Sequence, residues 1–144
     1  MEHLSPDARY LLEIAAMGGA DTDHALLKTL FDQSMRTDFE ASLSELVNAH
    51  YLEVSEGEPA RIRSTSELVR QTVASTLPSA ERARIHADMV ESLVARPTGQ
   101  HPELTLEIAR HAVQGVDRLG NARVAGHCLA AAEILASQFD WAGI

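Results

Sequence analysis

The chain contains little cysteine, few aromatic residues and no long apolar run. Its 144 residues include a single cysteine, Cys128, and its aromatic content is 4%. One cysteine excludes an internal disulfide and favours a reducing compartment, so we expect a cytoplasmic location. No run of about 18 apolar residues is present, so we expect no association with a membrane. With so few aromatic side chains, the core must be built from aliphatic residues and alanine, a composition that favours helices.

Basic residues and catalytic motifs are also scarce. The chain has 12 basic and 21 acidic side chains, a net charge of −9, which would repel a phosphate backbone. It contains no Gly-x-x-x-x-Gly-Lys-Ser/Thr stretch, so we predict that it does not hold a triphosphate in the P-loop manner and binds no cofactor. No nucleophile beside a base and no carboxylate pair in a plausible pocket can be named. We therefore predict that this chain is not an enzyme.

Helical periodicity dominates the first 48 residues. Ser5 and Pro6 begin a first helix, which the pattern ends near Gly18. The run Asp21-Thr22-Asp23 offers an N-cap for a second helix. Thr37 with Glu40 has the spacing of a capping box that opens a third. Apolar residues at core spacing on these helices are Leu11, Ile14, Leu27, Leu30, Leu43 and Leu46.

The period then changes to alternation. Leu52 and Val54 alternate with polar residues, and after a Gly- and Pro-containing turn Arg61-Ile62-Arg63 alternates again, which predicts a hairpin. Three helices followed by a hairpin is the order of a winged helix. Ser64 and Glu67 have the spacing of a second capping box, which opens another helix. The residues predicted to face inward on that helix are Leu68, Val69, Thr72 and Val73.

The second half of the chain is predicted to be helical, with alanine at the helix contacts. One helix is expected from about residue 80 to 95, and two more form a helical hairpin of about 35 to 40 residues, the length of one solenoid unit. Asp140-Trp141-Ala142-Gly143-Ile144 has the pattern of a further helix opening, so we expect a truncated helical region. The predicted inward-facing residues are Ile85, Met89, Val90, Leu93, Val94, Leu104, Ile108, Ala109, Ala112, Val113, Val124, Cys128, Leu129, Ala132 and Leu135.

Several short runs, in this order and spacing, carry a resemblance. They are Leu4–Leu12, Leu43–Val47 with Tyr51-Leu52, Leu68–Val73, Arg82–His86 and Glu107–His111. The chain resembles the region that follows the ATPase module in bacterial signal-transduction ATPases with numerous domains (STAND ATPases), such as the large LuxR-type transcriptional regulators. The resemblance implies a mainly α fold: a winged-helix domain with a small β-hairpin over residues 1–77, then antiparallel tetratricopeptide-like helices over residues 78–144.

The resemblance also implies a role in signal relay. An upstream domain of the parent protein would bind ATP or ADP, and this chain would relay the nucleotide state to a superhelix and an output domain. The implied partners are the neighbouring ATPase domain, the downstream helical repeats of the same polypeptide, and an effector that is a protein or a small molecule. Related winged helices carry an Arg-His pair, whose histidine can sense the nucleotide, where this chain has Thr65 and Ser66. Ser66 would offer only a neutral hydroxyl.

A free-standing winged-helix transcription factor is the alternative. Arg61 and Arg63 lie where such a protein contacts phosphates, but the third helix has no basic residue to read bases, and residues 1–66 hold 5 basic and 12 acidic side chains. Direct DNA binding is therefore not expected.

Glu107 and His111 have helical spacing for a metal, but without a third ligand we predict polar contacts and no metal. The residues predicted to contact a neighbouring domain or partner are Arg61, Arg63, Ser66, Arg70, Arg82, Arg84, His86, Arg110 and His111.

Overall fold

A computed structural model describes residues 3–19, 21–57, 60–95 and 102–138. The fold is mainly α, as predicted, with a small three-stranded antiparallel sheet. The chain divides into two compact units, unit 1 (Met1–Ser79) and unit 2 (Ala80–Ile144). Within the described ranges, no helix has both the length and the apolar character needed to cross a membrane.

The helices of unit 1 pack around a core of aliphatic residues and two phenylalanines. The helices are α1 (Pro6–Met17), α2 (His24–Gln33), α3 (Phe39–Asn48) and α4 (Glu67–Thr76). Phe31 is fully buried, and its ring meets that of Phe39 edge-on at a centroid distance of 5.6 Å. The core residues predicted from helical periodicity and the hairpin are all buried: Leu11, Ile14, Leu27, Leu30, Leu43, Leu46 and Ile62.

The caps of the helices were predicted correctly for α1 and α2 and wrongly for α3 and α4. Ser5 accepts a hydrogen bond from Ala8 N at 3.1 Å, and Asp23 caps α2. The cap of α3 is Asp38, and not Thr37 with Glu40 in a capping box. Asp38 has a φ of 67°, a left-handed conformation that a β-branched threonine would resist.

The predicted box of Ser64 with Glu67 is also wrong. Ser64 is the last residue of a strand, so its backbone is committed to the sheet. The cap of α4 is Ser66, whose Oγ accepts a hydrogen bond from Val69 N at 3.3 Å.

The Asp38 cap gives a testable consequence. Asp38→Ala should lower the free energy of unfolding of unit 1 by about 1 to 2 kcal/mol, because the Ala41 N–H loses its acceptor and alanine is less stable in a left-handed conformation. Asp38→Asn keeps an acceptor and tolerates that conformation, so it should lie close to the wild type. Urea unfolding followed by circular dichroism measures both. Thr37→Ala is the control, and an effect there as large as that of Asp38→Ala would contradict the assignment.

The sheet contains one strand more than the predicted hairpin. The strands β1 (Asp21–Asp23), β2 (Leu52–Val54) and β3 (Arg61–Ser64) lie in the order β1-β3-β2, and both pairings are antiparallel. The hairpin of β2 and β3 is therefore confirmed. Strand β1 was not predicted because two of its three residues are aspartates, which strands disfavour. Leu52 and Ile62 are buried, whereas Val54 is 40% exposed.

The helices of unit 2 bury alanines together with larger aliphatic residues, of which Ile85, Met89, Val90 and Leu93 were correctly predicted to face inward. Its helices are α5 (Ser79–Val94), α6 (Pro102–Gln114), the short α7 (Val116–Leu119), which was not predicted, and α8 (Asn121–Gln138). Helix α6 packs along α8. The alanines buried in unit 2 are Ala83, Ala87, Ala109, Ala112 and Ala131, which bears out the prediction that small residues lie at the contacts.

Several large apolar residues predicted to face inward are exposed instead. Leu68 of α4 is 74% exposed, and the other exposed members of the predicted set are Thr72, Val94, Val113, Leu129, Ala132 and Leu135. The apolar residues that are buried on α6 and α8 are alanines. Val113 follows the buried Ala112, so it is turned away by about 100°. The predicted helix opening at residues 140–144 lies outside the described residues.

Candidate functional site in the two units

The two arginines predicted to project from the wing are paired on the sheet itself. Arg61 Nε donates to Asp21 Oδ1, and Arg61 Nη2 donates to the Asp21 carbonyl oxygen at 3.3 Å. Arg63 stands opposite Glu53 in the β2–β3 register, and its Nη2 lies 3.4 Å from each carboxylate oxygen. Both pairs are largely exposed, so each contributes at most about 1 kcal/mol to stability. The carboxylates of Asp21 and Glu53 thus neutralise the charges of the two arginines locally.

The carboxylates of α3 are used by unit 1 for its own structure. Glu45 receives two hydrogen bonds from Ser5, from its backbone N at 2.8 Å and from its Oγ at 2.9 Å. These bonds tie the beginning of α1 to α3. Glu40 lies 3.9 Å from His24 Nε2, and Asp38 caps the helix. The surface of α3 therefore offers acidic groups and no cation that could contact a base edge.

Ser66 and Arg70 hold α4 in place. The Ser66 hydroxyl is the N-cap of α4, so it is already engaged within its own helix. Arg70 Nε donates to Glu67 Oε2 at 2.8 Å, and Arg70 Nη1 donates to the Ala16 carbonyl oxygen at 3.1 Å, which links α4 to the end of α1. The hydrogen bond from Arg70 lowers the pKa of Glu67 to about 2. Glu67 therefore keeps its charge, and its pairing with Arg70, under ordinary conditions.

The arginines of α5 differ in their surroundings. Arg84 is bound on both sides along its helix, by Glu81 one turn before it and by Asp88 Oδ2 at 2.8 Å one turn after it. Arg82 is exposed. The positive charge of Arg82 contributes to lowering the pKa of His86.

His86 and His111 form a pair that joins α5 to α6. The two Nδ1 atoms are 2.8 Å apart, and His111 is 1% exposed. Arg110 Nη2 lies 3.5 Å from His111 Nε2, and because an arginine only donates, that nitrogen is an acceptor. His111 then carries its proton on Nδ1 and donates it to His86 Nδ1. Both imidazoles are neutral in this arrangement.

The surroundings of the histidine pair oppose protonation. Burial is the main cause, and it acts together with the charges of Arg110 and Arg82 to lower the pKa of His86 to about 4. Burial, the neighbouring His86 and Arg110 lower the pKa of His111 to about 3. The sequence placed both residues among the polar contacts but gave no sign that they meet, since 25 residues separate them.

Glu107 and His111, the two residues with helical spacing for a metal, have different surroundings. The Glu107 Oε1 atom is buried and has no hydrogen-bond partner among the described residues, while His111 turns its Nδ1 towards His86. No group of three or more His, Cys, Asp or Glu side chains in the described ranges is arranged to hold a metal ion. His86 and His111 thus form a largely buried neutral contact between α5 and α6, which is suited to positioning the two helices.

Comparison of the chain with models of protein families, with curated proteins and with solved structures finds no match.

Proposed function

We propose that the chain is a non-catalytic coupling and protein-interaction segment of a larger STAND-type ATPase regulator. Unit 1 is a winged-helix-like domain, and unit 2 is the beginning of a tetratricopeptide-like superhelix. The segment relays the ATP or ADP state of an upstream domain to the effector-binding superhelix and the output domain. The order of elements in unit 1 supports this, because a strand after α1 completes a sheet of order β1-β3-β2 with the hairpin.

The observation that carries the proposal is the neutralised, acidic character of the winged-helix-like surface. Arg61 and Arg63 are paired with Asp21 and Glu53, and α3 presents no basic side chain. A DNA-binding winged helix needs cations at both places, for phosphates and for base edges. A surface of this kind is suited to contact with protein.

Hydrogen bonds between the helices of unit 1 support its movement as one rigid body. Ser5 joins α1 to α3 through Glu45, and Arg70 joins α4 to α1 through the Ala16 carbonyl. To relay the nucleotide state, rigid domains must rotate about hinges. In this chain we place the hinges outside the helices that these hydrogen bonds connect.

Binding to duplex DNA tests the proposal against its alternative. We expect the full chain not to bind duplex DNA, because a net charge of −9 repels the phosphates. No salt-dependent affinity should therefore be measured. Fluorescence anisotropy over a range of salt concentrations measures this. A steep negative slope that Arg61→Ala and Arg63→Ala abolish would establish a winged-helix DNA-binding protein instead. The control is Arg123→Ala in unit 2, which also removes one positive charge.

The genomic sequence around the chain gives a second test. We expect the same reading frame to encode a Gly-x-x-x-x-Gly-Lys-Ser/Thr loop upstream of this segment, since the proposal needs a nucleotide-binding domain there. In that longer protein, small-angle scattering should differ between the ATP-bound and ADP-bound forms. A reading frame without such a loop would overturn the ATPase assignment.

A further inference from the structure

Strand β2 lies at one edge of the sheet of unit 1 and has unused backbone groups. Ser55 N donates to the Arg61 carbonyl, and Thr65 N donates to the Tyr51 carbonyl. Since bonded pairs alternate along an antiparallel ladder, Glu53 directs its backbone N–H and C=O towards β3. Leu52 and Val54 direct theirs away from it. No described residue forms a backbone hydrogen bond with these outward groups.

A cleft runs along this edge. It has a volume of about 570 Å³ and is lined by the end of α3, the following turn and β2. Its lining residues are Val47, Asn48, His50, Leu52, Glu53, Val54 and Thr65. Thr65 Oγ1 donates to the carbonyl oxygens of His50 and Tyr51, so the turn at the end of the cleft is fixed. The exposed part of Val54 supplies an apolar patch beside the free backbone groups.

The negative charge at the β2 edge indicates which kind of strand could bind there. A second copy of β2 bonded through Leu52 and Val54 would place the two Glu53 carboxylates directly opposite each other, which is destabilising. Glu53 is the charged residue that lines the cleft, and its contact with Arg63 is exposed and no shorter than 3.4 Å, which leaves its carboxylate accessible to a second cation. Residues 1–79 hold 6 basic and 13 acidic side chains, so the surroundings of the edge remain acidic. The complementary strand therefore carries a cation opposite Glu53 and apolar residues on either side of it.

We propose that the β2 edge binds an extended segment of a partner protein, in which apolar residues alternate with lysine or arginine, as a fourth strand of the sheet. Backbone hydrogen bonds to Leu52 and Val54 supply affinity, and Glu53 supplies the preference for a basic segment. This inference goes beyond the relay function and holds whether or not the parent protein is an ATPase.

Blocked peptides test the proposal with the full chain. We expect a peptide of alternating valine and lysine to bind, a peptide of alternating valine and glutamate to bind at least about tenfold more weakly, and an N-methylated valine–lysine peptide not to bind. Fluorescence anisotropy measures the affinities, and nuclear magnetic resonance should show new hydrogen-exchange protection at Leu52 and Val54. Equal binding of the N-methylated peptide would overturn the proposal, and so would a concentration-dependent dimer that uses this edge.

Two variants locate the site. Val54→Pro removes an outward N–H while leaving the ladder to β3 intact, so peptide binding should be lost. Glu53→Lys should weaken the valine–lysine peptide about tenfold and reverse the charge preference. Glu133→Lys makes the same change of charge on the exposed part of α8 and should leave binding unchanged. If Glu133→Lys and Glu53→Lys had equal effects, binding would reflect net charge and not this edge.

Discussion

Gly115→Val is expected to lower the free energy of unfolding of unit 2 by about 3 kcal/mol. A Cβ atom at Gly115 would lie 2.9 Å from the backbone N of Ala87 and 3.2 Å from the backbone O of Ala83. These are atoms of α5, which cannot move without the helix. Since Gly115 has a φ of −99°, its backbone conformation is open to other residues and the effect is purely steric. The substitution forces α5 away from the end of α6.

Gly126→Ala is the matched control for this prediction. Apart from the nearby backbone of α8 and the two adjacent residues, no atom of the described residues lies within 4 Å of a Cβ at Gly126, so alanine should stabilise the helix by up to about 1 kcal/mol. Urea unfolding followed by circular dichroism gives the total effect. The reactivity of the half-buried Cys128 thiol, the one cysteine of the chain, reports on unit 2 alone. If the Gly115→Val variant had the same urea midpoint as the wild type, α5 and the end of α6 would not approach each other this closely.

The features that the sequence predicted correctly depend on neighbours along the chain. The helical stripe that includes Leu11 and Ile14, the caps at Ser5 and Asp23, and the alternation in the hairpin all arise from interactions within a few residues. Such patterns fix the element type and one face. They do so most reliably in unit 1, where large aliphatic side chains form the core.

The features that the sequence did not reveal depend on residues far apart in the chain. Strand β1 exists because β3 pairs with it, not because its residues favour a strand. The partner of Arg61 is 40 residues away at Asp21. On α6 and α8 the buried apolar residues are alanines, and because α8 carries alanines on several faces, periodicity selected Leu129 for the core although it is exposed.

The histidine pair predicts a loss of stability of unit 2 on mild acidification. His86 and His111 have pKa values of about 4 and about 3 in the folded protein, below the ordinary value of 6.5. Above pH 6.5 neither state binds these protons. As the pH falls below 6.5, the unfolded chain binds them and the folded chain does not, so the free energy of unfolding decreases until the pH reaches the folded values. The slope approaches about 1.4 kcal/mol per pH unit for each proton.

Replacing both histidines isolates this effect. In the double variant His86→Asn with His111→Asn, an amide N–H replaces the donating Nδ1 atom, an amide oxygen replaces the accepting one, and nothing titrates, so the loss of stability between pH 6.5 and 5 should largely vanish. His50→Asn is the control, because this exposed histidine has a φ of 66°, which asparagine tolerates. Urea unfolding at pH 7 and pH 5, with Cys128 reactivity as the probe, measures all three proteins. Glu67 and Glu81, whose pKa values are lowered by Arg70 and Arg84, titrate below this window and do not obscure it. A double variant as sensitive to acid as the wild type would place the relevant protons elsewhere, and the pair would then be only a packing contact between α5 and α6.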